Sequence, residues 1–226
     1  MLNKAKQFVS ELMKNDNSGH GMQHINRVYN LAMKFAQKEN CDITVVALGA
    51  LLHDVDDYKL FGDLNQEKLI NTNKILSQLN VDKNTKEQVL NLVSTIGYSK
   101  RLKGIIPSTI EAKIVSDADM CDAIGVIGIL RTHQYNIKHG KNFFDRNIWP
   151  VENIDAHTYT KKAVDSSVCH IFEKGLKIKS LMLTEYGKIE ACLRHNFMID
   201  FLRQLFKEEN APEWEQYLDN YLKKLN

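Results

Sequence analysis

The chain has 226 residues, 43% hydrophobic and 26% charged, with only 11 glycines and 3 prolines. That length supports a sizeable core without a metal or disulfide to hold it, and so few breakers exclude long linkers or low-complexity segments. A formal charge of +2 argues against bulk electrostatic binding of nucleic acid or a membrane surface.

The opening segment MLNKAKQFVSELMKN has neither the apolar stretch nor the small-residue cleavage site of a signal peptide. Within it, KAKQFVSELMK predicts a first amphipathic helix. A second follows over MQHINRVYNLAMKFAQKE, with Ile25, Val28, Leu31, Ala32 and Phe35 on one stripe. A third opens at Cys41-Asp42 and runs through ITVVALGALL to His53-Asp54; that run is about half the length a membrane span needs. NQEKLINTNKILSQLN and TKEQVLNLVSTIGY continue the helical period, each entered from an Asn or Thr able to cap it.

From Pro107 one long helical passage is predicted through IEAKIVSDADMCDAIGVIGILRTHQYN. The stretch from Lys138 to Thr158, with Gly140, Pro150 and scattered aromatics, reads as a surface excursion or flap. TKKAVDSSVCHIFEKGLKI and EYGKIEACLRHNFMIDFLRQLFKEE form a further helical pair, and a short amphipathic tail closes the chain. No period-two alternation lasts long enough to build a sheet, so the fold class is all-α, a compact multi-helix bundle read as one domain over 1–226. The four cysteines (Cys41, Cys121, Cys169, Cys192) form no C-x-x-C pair, which fits reduced thiols in a cytoplasmic protein.

Three patches carry candidate chemistry. In SGHGMQHINRV, His20 and His24 are four apart, with His20 at the helix entrance between two glycines and His24 one turn in, on the core side. Alone, His24 reads as a hydrogen-bonded core histidine. In ALGALLHDVDDY, the residues beneath His53 and Asp54 are mostly small, which lets another backbone approach closely. Neighbours on a helix diverge by ~100°, yet both can reach an ion over the edge between them. Alone, the pair reads as a helix end with solvated acidic neighbours Asp56 and Asp57. In AKIVSDADMCDAIGVIG, Asp117, Asp119 and Asp122 interrupt an apolar helix, and a buried carboxylate needs a cationic partner: a metal, Arg27 or a lysine. For Asp122 a structural salt bridge is the preferred reading. Lys100, Arg101 and Lys103 in SKRLKG could hold one phosphate, though a solvated helix end is the simpler reading. Taken together, His24, His53, Asp54 and Asp119 supply two imidazoles and two carboxylates, a mixed set suited to a divalent ion with open positions for water and substrate.

The order His…His-Asp…Asp on successive helices resembles the HD superfamily of metal-dependent phosphohydrolases. The resemblance extends through GHGMQHINRVYNLA, ALLHDVDDYKLFGD, KIVSDADMCDAIGVIGILRT and LMLTEYGKIEACLRHNFMIDFL, nearly the full chain. These segments look like a subgroup of small bacterial cytoplasmic hydrolases, some of which are nucleoside triphosphate pyrophosphohydrolases. The resemblance implies an HD-domain bundle with a C-terminal helical extension packed on it. It implies one divalent ion (Mn, Mg, Fe, Co or Zn, with Mn or Mg foremost) held by His24, His53, Asp54 and Asp119.

Catalytic roles fall by the same resemblance to Asp54, His20 and Asp57, and substrate contacts to Lys59 and Lys100. Gly21 stands where many relatives carry Asp, and Met120-Cys121 replace an Arg-Leu pair, which bears on polar contacts around the substrate. The implied reaction converts a nucleoside triphosphate to monophosphate and pyrophosphate through a metal-activated water. The alternatives are a 5′-nucleotide phosphomonoesterase, a cyclic-nucleotide phosphodiesterase, or a non-catalytic nucleotide-binding HD module. The expected partner is a small-molecule nucleotide, with no nucleic acid and no membrane; a homodimer is compatible with the sequence.

Overall fold

The structure, a computed structural model, describes residues 1–14, 21–151 and 166–225. Every regular element among them is a helix, and none is long and apolar enough to cross a membrane. Two compact units divide the chain, Met1–Asp122 and Ala123–Asn226.

In the first unit the helices are α1 Leu2–Leu12, α2 Met22–Ala36, α3 Ile43–Leu52, α4 Tyr58–Phe61, α5 Asp63–Lys68, α6 Ile70–Gln78, α7 Lys83–Thr95, α8 Tyr98–Leu102 and α9 Ile110–Asp122. The centre is α3, whose residues from Val45 to Leu52 are all buried and which packs against α1, α2, α7 and α9. A helix apolar on every side is stable only when surrounded. Asp42 starts it by accepting hydrogen bonds from the Thr44 and Val45 amides at 2.8 and 3.2 Å. The close approach expected beside the small residues comes from a side chain of α7, not a backbone. A Cβ on Gly49 would lie 2.7 Å from Leu92.

Two predicted helix starts move. α7 begins at Lys83 and is capped by Asp82, which accepts from the Thr85 amide at 3.0 Å, so neither an Asn nor a Thr caps it. The helix expected over residues 65–80 breaks at Leu69, which adopts φ 48°, a left-handed conformation costing roughly 1–2 kcal/mol for a residue with a Cβ.

Asp56 accounts for that break, and it is not solvated. It is 3% exposed and accepts from the Asn71 amide (2.8 Å), the Thr72 amide (2.9 Å) and the Thr72 hydroxyl (2.7 Å). These are otherwise unmatched donors at the start of α6, where the helix dipole also favours an anion. The Asn71 amide side chain returns the contact by donating to the Val55 carbonyl at 2.7 Å. Asp56→Ala is expected to lower stability by about 2–3 kcal/mol, because it strands three donors, the two of Thr72 buried and that of Asn71 half-buried. Urea midpoints of the two proteins measure this.

The long passage predicted from Pro107 is interrupted at Ala123-Ile124, and Gly125 restarts it at φ 74°, a conformation open to glycine. The second unit comprises α10 Gly125–Lys138, α11 Ser167–Glu173, a 3-10 helix Gly175–Leu181, α12 Glu185–Glu208 and α13 Pro212–Leu225. The described part of the expected flap is irregular but tied down. Trp149 stacks on Trp214 of α13 at 4.2 Å, the Trp214 indole donates to the Arg146 carbonyl at 3.1 Å, and Arg146 pairs with Glu213. Residues 152–158 of that stretch lie outside the described residues.

His195 on α12 is 4% exposed. Burial, with the nearby Lys179 charge adding to it, pushes its imidazole pKa down to about 4. The unfolded chain protonates at the ordinary histidine value of about 6.5. Unfolding therefore takes up a proton between these values, and stability falls as pH drops through that window. His195→Gln is expected to flatten this slope. Urea melts at pH 7 and pH 5 report it through Trp149 and Trp214, the two tryptophans of the chain.

Candidate metal centre

Helices α2, α3 and α9 pack together and each brings a polar group to the same point. His24 lies in the first turn of α2 and is 2% exposed. His53 is the residue that ends α3, with Asp54 directly after it. Asp119 and Asp122 stand one turn apart on α9.

The His24 and His53 Nε2 atoms are 3.1 Å apart. His24 Nε2 lies 3.3 Å from Asp54 Oδ2 and 3.4 Å from Asp119 Oδ1, and His53 Nε2 lies 3.5 and 3.7 Å from the same oxygens. Atoms bound to one ion at ~2.0–2.2 Å, at octahedral or tetrahedral angles, stand roughly 2.8–3.6 Å from one another. The observed spacings, from 3.1 to 3.7 Å, lie toward and just beyond the wide end of that range.

The outer partners of the imidazoles set which nitrogen carries the proton. His53 Nδ1 meets the Ala50 carbonyl at 2.9 Å; a carbonyl only accepts, so Nδ1 donates and Nε2 presents its lone pair. His24 Nδ1 donates to Asp122 Oδ2 at 2.7 Å, which leaves its Nε2 in the same state. Two imidazole lone pairs and two carboxylate oxygens thus face one another, an arrangement that repels unless a cation sits among them. His24, His53 and Asp119 meet the geometric requirement for holding a metal ion, and Asp54 Oδ2 lies 3.3 and 3.5 Å from the two imidazole nitrogens. The donor set therefore fits a divalent cation.

Asp122 is the residue whose role sequence reasoning caught only in part. Its salt bridge with Arg27 is there: Nε donates to Oδ1 at 2.7 Å and Nη2 to Oδ2 at 3.0 Å. The unforeseen part is that the same carboxylate also fixes the tautomer and orientation of His24, as outer partners of metal-ligating histidines do. Its position one turn beyond Asp119, facing Arg27, was the available signal. The Ala50 carbonyl that orients His53 left no signal beyond the helix end itself.

Of the other predicted residues, Asp57 is half-buried and its amide donates to the Asp54 carbonyl at 3.1 Å. Lys100 is half-buried, donates to the Val93 carbonyl at 3.2 Å, and places its charge beside Asp54 and Asp57. Burial pulls its ammonium below the ordinary lysine value, with Lys103 adding to this and the two aspartates opposing it. It is therefore not a purely solvated helix end. His20 and the Lys59 side chain lie outside what is described.

This arrangement is that of the HD domain, whose family model matches residues 21–124; the chain belongs to the HD-domain family. It is 30% identical over 205 residues to the uncharacterized protein YpgQ of Bacillus subtilis (strain 168), covering 89% of this chain and 90% of that protein. A solved Lactobacillus plantarum protein superposes with a TM-score of 0.80 at 30% identity, covering 93% and 97% of the two chains. An HD-superfamily hydrolase from Bacillus thuringiensis superposes at 0.72 with 33% identity, covering 93% and 97%. YpgQ in complex with ADP superposes at 0.71 with 28% identity, covering 92% and 97%.

Proposed function

We propose that the protein is a metal-dependent phosphohydrolase acting on nucleotides, converting a nucleoside triphosphate to monophosphate and pyrophosphate. The observation that carries this reading is the convergence of two imidazoles and two carboxylates from three packed helices, which a divalent cation reconciles. His24, His53, Asp54 and Asp119 would hold one divalent ion. When bound, such an ion supplies Lewis acidity, bringing the pKa of a coordinated water toward ~7 and offsetting phosphate charge. Manganese and magnesium lead the candidates, because two of the four ligands are carboxylates. The ADP bound to YpgQ supports a nucleotide as the substrate.

The remaining roles belong to the chain's own groups. Asp54 and Asp57 orient the attacking water and take up its proton, and Asp122 keeps the His24 lone pair aimed inward. Lys100, with its charge beside Asp54 and Asp57, stabilises negative charge as it builds on phosphate oxygens. Lys59 shares that task and His20 supplies a second proton-transfer group, both on the strength of the family resemblance. The second unit is then the helical extension of one HD domain, and the free cysteines suit a cytoplasmic setting.

The test is product analysis of a nucleotide panel incubated with Mn, Mg, Co or Zn. Equal amounts of nucleoside monophosphate and pyrophosphate are expected. Orthophosphate release would redirect the assignment to a phosphomonoesterase and opening of a cyclic nucleotide to a phosphodiesterase. Absence of turnover with every metal would leave a binding module.

A further inference from the structure

The second unit contains a cavity of about 230 Å³ remote in composition from the metal centre, formed by the 3-10 helix, α12 and α13. Its size falls below the ~300–1,000 Å³ of pockets for drug-sized ligands, so its occupant is small. Along the 3-10 helix the period of three puts Leu176 and Lys179 on one face, and both line the cavity. α12 contributes His195, Asn196 and Ile199, and α13 contributes Leu222.

The lining is divided by chemistry. Leu176, Ile199 and Leu222 offer an apolar wall, while Lys179, Ser180 and Asn196 offer an ammonium, a hydroxyl and an amide. Ser180 and Asn196 are exposed at the rim, Lys179 is half-buried, and His195 is 4% exposed. His195 Nδ1 is buried without a hydrogen-bond partner among the described residues. Buried imidazole nitrogens are ordinarily matched, so this exception asks for an explanation. Leu225 of α13 completes the lining, and among the described lining residues the one charged group is Lys179.

We propose that this cavity is a binding site for a small amphiphilic anion, a carboxylate or phosphate monoester head group carried on a short apolar body. The head group pairs with Lys179 and takes a hydrogen bond from Asn196, with the neutral His195 in the wall beside it. The apolar body lies along Leu176, Ile199 and Leu222. Pairing one ammonium with a neutral amide donor suits a single anionic group. The site does not depend on the phosphohydrolase assignment, because every lining residue belongs to the second unit.

The experiment titrates metal-free full-length protein, labelled in its histidine rings, with benzoate, phenyl phosphate and neutral benzyl alcohol. His195 signals are assigned from the spectrum of His195→Gln, and binding at the metal centre is read separately from His24 and His53. The expected result is a saturable shift of His195 by at least one anion, the responding one identifying the head group. Benzyl alcohol should bind at least about tenfold more weakly, and Lys179→Gln should lose a similar factor for the anion. Lys179 is half-buried at the surface, so this variant leaves the core intact. No saturable shift with either anion, equal binding of benzyl alcohol, or unchanged affinity in Lys179→Gln overturns the proposal.

Discussion

Asp54→Ala is expected to lower kcat on a nucleotide substrate by roughly three orders of magnitude while leaving the metal-free protein as stable as before, or more so. The loss follows from what a cation contributes to phosphoryl chemistry, several kcal/mol of charge stabilisation at about 1.36 kcal/mol per decade of rate. The unchanged stability follows from geometry. Asp54 Oδ2 stands 3.3 and 3.5 Å from two imidazole nitrogens whose lone pairs face it. Removing that oxygen relieves its repulsion with those lone pairs, which offsets the loss of its attraction to Lys100 and of its remaining contacts. A site held ready for a cation is strained without it, the usual trade between function and stability. Steady-state kinetics at saturating Mn, beside urea midpoints of the metal-free proteins, measure both halves.

The second large effect is expected one layer further out. Asp122→Asn should weaken divalent-metal binding ~10–100-fold, the range for partners of ligating histidines, and lower stability by about 1–3 kcal/mol. The carboxylate accepts from Arg27 twice and from His24 Nδ1 once. An asparagine has one acceptor oxygen and a donating NH2 group, so it cannot satisfy all three. If the amide meets His24, the ring proton moves from Nδ1 to Nε2 and points at the other three ligand groups. Arg27→Met should have the smaller effect on affinity, because the Asp122–His24 contact survives and Arg27 is itself one-third exposed. Manganese titrations of the three proteins by calorimetry rank them.

These expectations also show which parts of the molecule were readable from the chain. Helix identity was, because the apolar spacing of α2, α12 and α13 is helical throughout and α3 is a pure apolar run. Helix breaks were not. The interruption at Leu69 depends on Asp56, whose partners lie fifteen and sixteen residues later, and the restart at Gly125 depends on one backbone dihedral. Asp56 was misread for the same reason. A carboxylate in an acidic run resembles solvated surface unless the amides it caps are already in view.

The metal cluster was legible because each member is a costly polar intrusion on an apolar helix. His24, the His53-Asp54 pair and Asp119 are spread over three segments, and one ion would satisfy all of them. What orients them was less so. The Ala50 carbonyl behind His53 is backbone and leaves no mark on the sequence, and Asp122 registered as half of an ion pair with Arg27 and not as the support of His24. His195 attracted no attention because its neighbours come from the 3-10 helix and from α13, which spacing along α12 does not bring together.

The central claim is that His24, His53, Asp54 and Asp119 together hold one divalent cation. The direct measurement is metal content by elemental analysis after loading with Mn and removing the unbound ion, for the wild-type protein and for His53→Ala and Asp119→Ala. One manganese per wild-type chain and far less than one in either variant is the predicted result. Stoichiometric metal retained in His53→Ala and Asp119→Ala would contradict it.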